Sequence, residues 1–297
     1  MRYHRQLNHC STPCSKMISR PNSLYRALSI EKAVIDKVLA NIGSYYYEYE
    51  KRTRKSNGKV KQRIINPSKG TLKIIQKHID NLLKEKIPPA PYAFGSTKGR
   101  SGISNAKFHK GNKYVFQTDL RSFFSSITQE MVYQMFVRYG FSKDVASILA
   151  KLTTYGGHIP QGASTSSTVA NLVFTKTGDV IANYCVKNGF KFTTYVDDLT
   201  ISSPVDFKEQ ISEILDILKR DGYAISHAKT TYRTSPTKVT GPLVRNNSLD
   251  ITPEFRSKMN NSQGKTLEQI NGELNYANAV FKANEPVKKR NCENLLK

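Results

Sequence analysis

Phe190-Lys191-Phe192-Thr193-Thr194-Tyr195-Val196-Asp197-Asp198-Leu199-Thr200-Ile201-Ser202-Ser203 is where the hydrophobic period of the chain changes from helical to two. Residues 190–195 and 199–203 are rich in aromatic and β-branched side chains, and the pair between them favours a turn. The stretch therefore reads as a tight hairpin with both carboxylates at its tip. Taken by itself, Asp-Asp is only a good turn sequence, because a short carboxylate bonds to its own backbone. A second acid-bearing element changes its meaning. Residues 113–119 alternate Val115, Gln117 and Asp119 on one strand face with Tyr114, Phe116 and Thr118 on the other, and Asp119 stands at the end. If this strand neighbours the hairpin in one sheet, Asp119, Asp197 and Asp198 meet. Such a trio can hold two divalent ions roughly 3.5 to 4 Å apart. Mg²⁺ suits it, since that ion takes few protein carboxylates and keeps positions for phosphates and water. Such a geometry suits phosphoryl transfer, in which one ion would lower the pKa of an attacking hydroxyl and the other would neutralise a triphosphate and the departing pyrophosphate.

Outward from these strands, Leu24, Leu28, Ile35 and Leu39 recur at helical spacing and predict one amphipathic helix ending near residues 41–43. Residues 45–69, with the turn Ser56-Asn57-Gly58, predict a hairpin whose second strand is 60–65. A helix over 71–86 carries Leu72, Ile75, Ile79 and Leu82 on one face and stops at Pro88, Pro89 and Pro91. A Gly-punctuated loop spans 94–102. Helices are expected at 129–139, 142–154 and 164–187, the last after the loop 156–162. Phe207, Ile211, Ile214, Leu215 and Leu218 make a further helical face closed by Gly222, and short strands are expected near 223–226, 231–234 and 238–244. The last 50 residues lean helical and basic, with Lys288-Lys289-Arg290 near their end. The order describes an α+β chain with an antiparallel sheet.

At 297 residues the chain has room for two or three subdomains, and 38% hydrophobic against 23% charged residues is a folding composition. Lys and Arg outnumber Asp and Glu by 46 to 23, a net charge of +23, so a polyanion is the expected partner. The cations are spread along the chain with no basic amphipathic helix to gather them, which favours nucleic acid over a membrane surface. Cys10, Cys14, Cys185 and Cys292 are too scattered for a disulfide framework, and a reducing cytoplasm fits. His9, Cys10 and Cys14 lack the second ligand pair that a zinc finger needs. The first 30 residues hold no acid and no secretory-type apolar core, and read as a basic tail.

Tyr195-Val196-Asp197-Asp198 resembles the YxDD motif of reverse transcriptases. Thr118-Asp119-Leu120-Arg121-Ser122-Phe123-Phe124-Ser125-Ser126-Ile127 is similar to their first palm motif, and Pro160-Gln161-Gly162-Ala163-Ser164-Thr165-Ser166 to their nucleotide-pocket motif. The order is theirs too. Asn105-Ala106-Lys107-Phe108-His109 resembles the NAxxH element, and Val239-Thr240-Gly241 the VTG element, of the retron type in bacteria. Val196, Ser164 and Pro242 depart from the usual pattern without removing a chemically required group.

The resemblance implies a right-handed polymerase fold: a basic tail over 1–22, fingers over 23–112, a palm over 113–240 with finger-proximal helices at 129–160, and a small basic thumb over 241–297. It implies an RNA-directed DNA polymerase with two Mg²⁺ ions, Mn²⁺ substituting in vitro, held by Asp119, Asp197, Asp198 and Leu120, whose ligand atom can only be its carbonyl. It implies that dNTPs meet Lys61, Arg63, Phe124, Gln161 and Gly162, with Phe124 beneath the sugar, leaving neither space nor a hydrogen-bond partner for a ribose 2′-hydroxyl. Lys229 is the candidate general acid for the leaving pyrophosphate. Asn105, Ala106, His109, Val239, Thr240 and Gly241 are expected at RNA. Lys51, Arg52, Arg54 and Lys55, interleaved with Tyr45, Tyr46, Tyr47 and Tyr49, form a candidate template surface by phosphate contact and stacking. The implied partners are a structured noncoding RNA serving as template and primer, an RNA-linked single-stranded DNA product (msDNA), and an effector or toxin protein in antiphage defence in the bacterial cytoplasm. Alternatives are a group II intron-like or diversity-generating enzyme, or a noncatalytic RNA-binding scaffold controlling a toxin.

Overall fold

The computed structural model describes residues 17–54, 60–261 and 263–285. His9, Cys10, Cys14, Lys55, the Ser56-Asn57-Gly58 turn, Lys288-Lys289-Arg290 and Cys292 lie outside the described residues. Where one N-terminal helix was expected there are two, α1 (Pro21–Leu28) and α2 (Lys32–Ala40). Ser29 adopts a left-handed φ of 52°, and its N–H and that of Ile30 close back onto the carbonyls of Arg26 and Tyr25 at 3.0 Å each. The apolar period survives this break because Leu28 and Ile35 stand seven residues apart and both face the core.

The expected basic hairpin is β1 (Tyr49–Arg54) and β2 (Val60–Ile65), paired antiparallel from Tyr49↔Ile65 to Arg54↔Val60. α3 (Gly70–Lys86) follows and buries Leu72, Ile75, Ile79, Leu82 and Leu83. It also buries Gln76, which is satisfied on every side: it accepts from Ser68 Oγ at 2.6 Å and donates to Tyr46 Oη and the Leu152 carbonyl, each at 2.9 Å. After the Gly-punctuated loop comes a helix that periodicity did not signal, α4 (Gly102–His109), opened by a reciprocal Ser101–Ser104 cap.

β3 (Tyr114–Asp119) leads into the short α5 (Phe123–Ser126), then α6 (Gln129–Arg138), α7 (Lys143–Thr153) and the long α8 (Ser166–Lys187). β4 (Lys191–Tyr195) and β5 (Asp198–Ser203) form the expected hairpin, followed by α9 (Ile211–Arg220) and β6 (Thr231–Thr234). These strands make an antiparallel sheet in the order β4-β5-β3-β6. The strand expected at 223–226 is a single bridge, Leu120↔Ile225, continued by a 3₁₀ turn over His227–Lys229. The strand expected at 238–244 is instead split into β7 (Thr237–Lys238) and β8 (Leu243–Val244). Thr240 at φ 45° and Gly241 at φ 123° turn the chain between them, and Pro242 lacks the N–H that a continuous strand would need. β9 (Leu249–Asp250), α10 (Pro253–Asn260) and α11 (Leu267–Lys282) complete the described chain.

Strand alternation distributes the core. Phe116 points into a large apolar cluster that also holds Phe192, Leu199, Ile201 and buried faces of α1 to α3 and α6 to α9. Its neighbour Val115 points the other way, into a smaller cluster with Ala106 of α4, Val239, Val244, Leu249, Ala277 and Val280. The four-stranded sheet is thus packed on one face along its length. On the other it is covered by the C-terminal elements near Val115 and left open toward Asp119. No described helix is long and apolar enough to cross a membrane.

Candidate active site

Register assembles the acidic trio. Asp119 pairs with Asp198 across β3 and β5, Tyr195 pairs with Asp198 across the hairpin, and Asp197 occupies the turn. One carboxylate oxygen from each of Asp119, Asp197 and Asp198 lies within 4.8 Å of the others. The backbone is tied down around them: Leu120 N–H donates to the Asp197 carbonyl at 2.9 Å, Arg121 N–H to Ala224 at 2.7 Å, and Ser226 N–H to Asp119 at 2.8 Å. Among the described residues no backbone N–H donates to the Leu120 carbonyl, which leaves that oxygen available as a ligand.

Asp119 is buried, Asp197 half-buried, and Asp198 opens into the cleft. Desolvation by the cleft walls, then the charges of Asp197 and Asp119, push Asp198 up to about 6. Asp197 is also raised, by burial first and by Asp119, against the opposing pull of Lys229 and Arg63. Crowded, mutually repelling oxygens are a donor set that a hard divalent cation relieves. The geometry fits the expected metal site.

An open cleft of about 1000 Å³ runs in front of the trio and is lined by Arg63, Phe124, Gln161 and Gly162 as well as Asp197 and Asp198. Four of the five residues expected at a nucleotide therefore share one space with the carboxylates; the side chain of the fifth, Lys61, lies outside the described residues. Phe124 is half-buried beside Phe123, their ring centroids 5.8 Å apart. The cleft is strapped to the β1–β2 hairpin where Asn66 N–H donates to the Gln161 carbonyl at 2.7 Å. Gly162 sits at φ 105°, and a Cβ there would come within 2.7 Å of Ile65 Cγ2, so its close approach is to the end of β2.

Lys229 lies on the opposite side, in a groove with Arg233, Lys238 and Gly241, and its Nζ donates to Asp119 Oδ2. Of the aromatic residues at the basic hairpin, Tyr46 is core, stacked on Tyr155 at 4.4 Å, whereas Tyr47 and Tyr49 are exposed. Arg52 is exposed and paired with Glu50 at 3.1 Å.

Of the residues expected at RNA, Thr240 and Gly241 line the groove that holds Lys229, and the other four are turned inward. Asn105, Ala106, His109 and Val239 are buried. His109 Nδ1 lies 2.6 Å from Ser202 Oγ and Nε2 lies 2.7 Å from Thr193 Oγ1, so it bridges β5 and β4; burial, then the nearby Lys191 charge, lowers its pKa to about 3. Asn105 Nδ2 donates to Thr240 Oγ1 at 3.3 Å, and Thr240 Oγ1 donates to the Gly102 carbonyl at 2.7 Å. The two retron-like elements thus bind each other and the sheet. Sequence reasoning also passed over Gly95, which meets Tyr195 and Val196 of the hairpin turn from behind, and Asn171, which donates to the Gly95 carbonyl; a glycine inside a Gly-punctuated loop carried no signal of that contact.

Residues 50–244 match the family model "Reverse transcriptase (RNA-dependent DNA polymerase)", and the chain belongs to that family. Within it, the similarity runs to the retron type, as NAxxH and VTG implied. The chain is 31% identical to Retron Se72 reverse transcriptase of Salmonella heidelberg (strain 579083-10), over 79% of this chain and 64% of that one. It is 27% identical to Retron Ec86 reverse transcriptase of Escherichia coli (82% and 79%) and 30% identical to Retron Mx65 reverse transcriptase of Myxococcus xanthus (66% and 51%). It therefore spans between about half and four fifths of these relatives' lengths. A solved foamy viral protease-reverse transcriptase in complex with double-stranded DNA superposes at a TM-score of 0.44 with 17% identity, covering 92% of this chain and 44% of that one.

Proposed function

We propose that this chain is an RNA-directed DNA polymerase that extends a primer with dNTPs using two Mg²⁺ ions. The observation that carries the reading is the Asp119↔Asp198 register, which gathers the three carboxylates at the floor of a cleft already walled by Phe124 and Gln161. Bound there, the ions supply an acidified attacking hydroxyl and charge neutralisation on the triphosphate. Asp119, Asp197, Asp198 and the Leu120 carbonyl hold them; Arg63 faces the phosphates, and Lys61 on the same strand is proposed beside it. The Phe124 ring excludes a 2′-hydroxyl, Gln161 offers its amide to the nucleotide, and Lys229 stands where a proton can be delivered to the leaving pyrophosphate. Primer extension on an RNA template tests this. Asp197→Ala with Asp198→Ala should abolish incorporation in a protein that still melts cooperatively, and retained dNTP incorporation refutes the reading.

The retron relatives support a narrower proposal: the template and primer are one dedicated structured RNA, the product is RNA-linked single-stranded DNA, and an effector protein acts with it in antiphage defence. Asn105, His109 and Thr240 contribute by fixing the surface that meets this RNA, since they are turned inward. Nucleic acid extracted from the natively expressed protein should contain one species of fixed length that RNase trims and DNase degrades. Heterogeneous copies, or bare RNA, refute it.

A further inference from the structure

The turn that carries Asp197 is built on Val196 at φ 61°, a left-handed conformation that a β-branched residue avoids. Something must hold it there. Residues 92–95 lie along the outer edge of β4: Thr194 N–H donates to the Tyr92 carbonyl at 2.8 Å, and the Phe94 and Gly95 N–H groups return to the Thr194 carbonyl at 2.8 and 3.4 Å. Ala93 and Thr194 form a parallel bridge. This segment is itself anchored. Arg100 Nη1 donates to the carbonyls of Ala90, Pro91 and Ala93 at 2.8, 3.0 and 2.5 Å, and Tyr92 Oη donates to Asp179 Oδ1 on α8 at 2.7 Å.

At its end, Gly95 lies flush against the catalytic turn. A Cβ at this position would stand 2.5 Å from Val196 N, 2.7 Å from Val196 Cγ2 and 2.8 Å from the Tyr195 carbonyl carbon. Two of those three atoms are backbone, so the contact cannot be relieved by a rotamer change. Asn171 Nδ2 of α8 donates to the Gly95 carbonyl at 2.9 Å and fixes the glycine from the other side.

We propose that residues 92–95 form a brace for the metal-binding turn, in which Gly95 and Asn171 are positioning residues that set the Val196 conformation and through it the placement of Asp197 and Asp198. The chain of contact is short. A displaced Tyr195–Val196 peptide moves Asp197, whose carbonyl is bonded to Leu120 N–H at 2.9 Å, and so shifts the hairpin tip against Asp119. Misplacing catalytic groups by about 1 Å can cost on the order of a hundredfold in rate. Residues 92–95 and Asn171 do not line the cleft that holds Phe124 and Gln161, so loss of the brace acts on metal binding and turnover and leaves dNTP binding to those two residues.

The inference rests on the two-metal reading of the trio, and the experiment separates the two. Primer extension by the full chain is measured for kcat, KM for dNTP and the Mg²⁺ concentration at half-maximal rate, with a melting curve for each variant. Gly95→Ala should lower kcat by roughly tenfold to a hundredfold and raise the Mg²⁺ midpoint, with KM for dNTP little changed. Val196→Gly placed on Gly95→Ala removes the Cγ2 clash and admits the positive φ, and should recover part of the lost kcat. Asn171→Ala should give the same signature, several-fold in size. A folded Gly95→Ala protein with the parental kcat and Mg²⁺ midpoint overturns the brace. If that variant does not fold, Asn171→Ala decides, and parental values there overturn it equally. If Asp197→Ala retains incorporation, it is the polymerase reading that fails.

Discussion

Lowering the pH from 7 to 5 should cost this protein stability through His109, and the size of the loss follows from where that ring sits. It is fully buried, both nitrogens are engaged by Ser202 Oγ at 2.6 Å and Thr193 Oγ1 at 2.7 Å, and burial lowers its pKa from 6.5 to about 3. In the folded state the ring therefore stays neutral throughout this range, while in the unfolded chain it takes up a proton as the pH passes below about 6.5. The unfolded state binds more protons, so unfolding becomes easier as the pH falls, by about 1.4 kcal/mol per pH unit once well below 6.5. Between pH 7 and pH 5 the loss is about 2 kcal/mol. Above pH 7 the contribution is flat. His109→Gln cannot titrate; it keeps an amide in reach of one hydroxyl, and Ser202 retains the 2.7 Å bond from Asn112. The variant should be less stable than the parent at pH 8, with the gap narrowing by about 2 kcal/mol on going to pH 5. Urea unfolding at four pH values, with unchanged m-values, measures this. Parallel pH profiles for parent and variant would show that the ring is not held neutral.

Phe124→Ala or Phe124→Val should admit ribonucleotides, lowering dNTP over NTP selection by on the order of a hundredfold, read by competitive primer extension; unchanged discrimination refutes the gate. Lys229→Arg keeps a cation beside Asp119 and removes a good proton donor; kcat should fall by about a hundredfold while the Mg²⁺ midpoint stays, and a parental kcat removes Lys229 from the chemistry. Gly162→Ala brings a methyl to within 2.7 Å of Ile65 at φ 105° and should raise KM for dNTP, with Ile65→Ala partly restoring it; an unchanged KM separates the hairpin strap from the nucleotide pocket.

The sheet that carries the acidic trio was legible because its information is local. Alternation over 113–119 and over the hairpin sets each strand, and Asp-Asp names the turn. What escaped reading was coded otherwise. The break between α1 and α2 rests on the left-handed conformation of Ser29, where Gly or Asn is the usual residue, and the seven-residue step from Leu28 to Ile35 conceals it. α4 has little apolar period because the face it buries carries Asn105 and His109, whose hydroxyl partners are 84 to 135 residues away in the chain. The RNA expectation for this helix came with the NAxxH resemblance, and a motif match carries no information on where Asn105 and His109 point. Gly95 and Asn171 gave no pattern at all.

The trio repels itself, so its geometry has to be imposed from behind before any ion arrives. The first constraint is register. Phe116 pairs with Ile201 and Thr118 with Leu199 across β3 and β5, and Phe116, Ile201 and Leu199 are all sunk in the large core. A slip of one residue between these strands would drive an entire apolar set to the open face and move Asp198 away from Asp119. The same burial that stabilises the sheet therefore fixes which carboxylates face each other. Two further supports act on the hairpin from different sides, His109 across β4 and β5, and residues 92–95 along the outer edge of β4. With these in place, burial against the cleft walls first, and then the charges of Asp197 and Asp119 held close by, raise the pKa of Asp198. The site stores that repulsion because the fold gives the hairpin nowhere else to go, and a divalent cation is the group whose binding the stored repulsion favours.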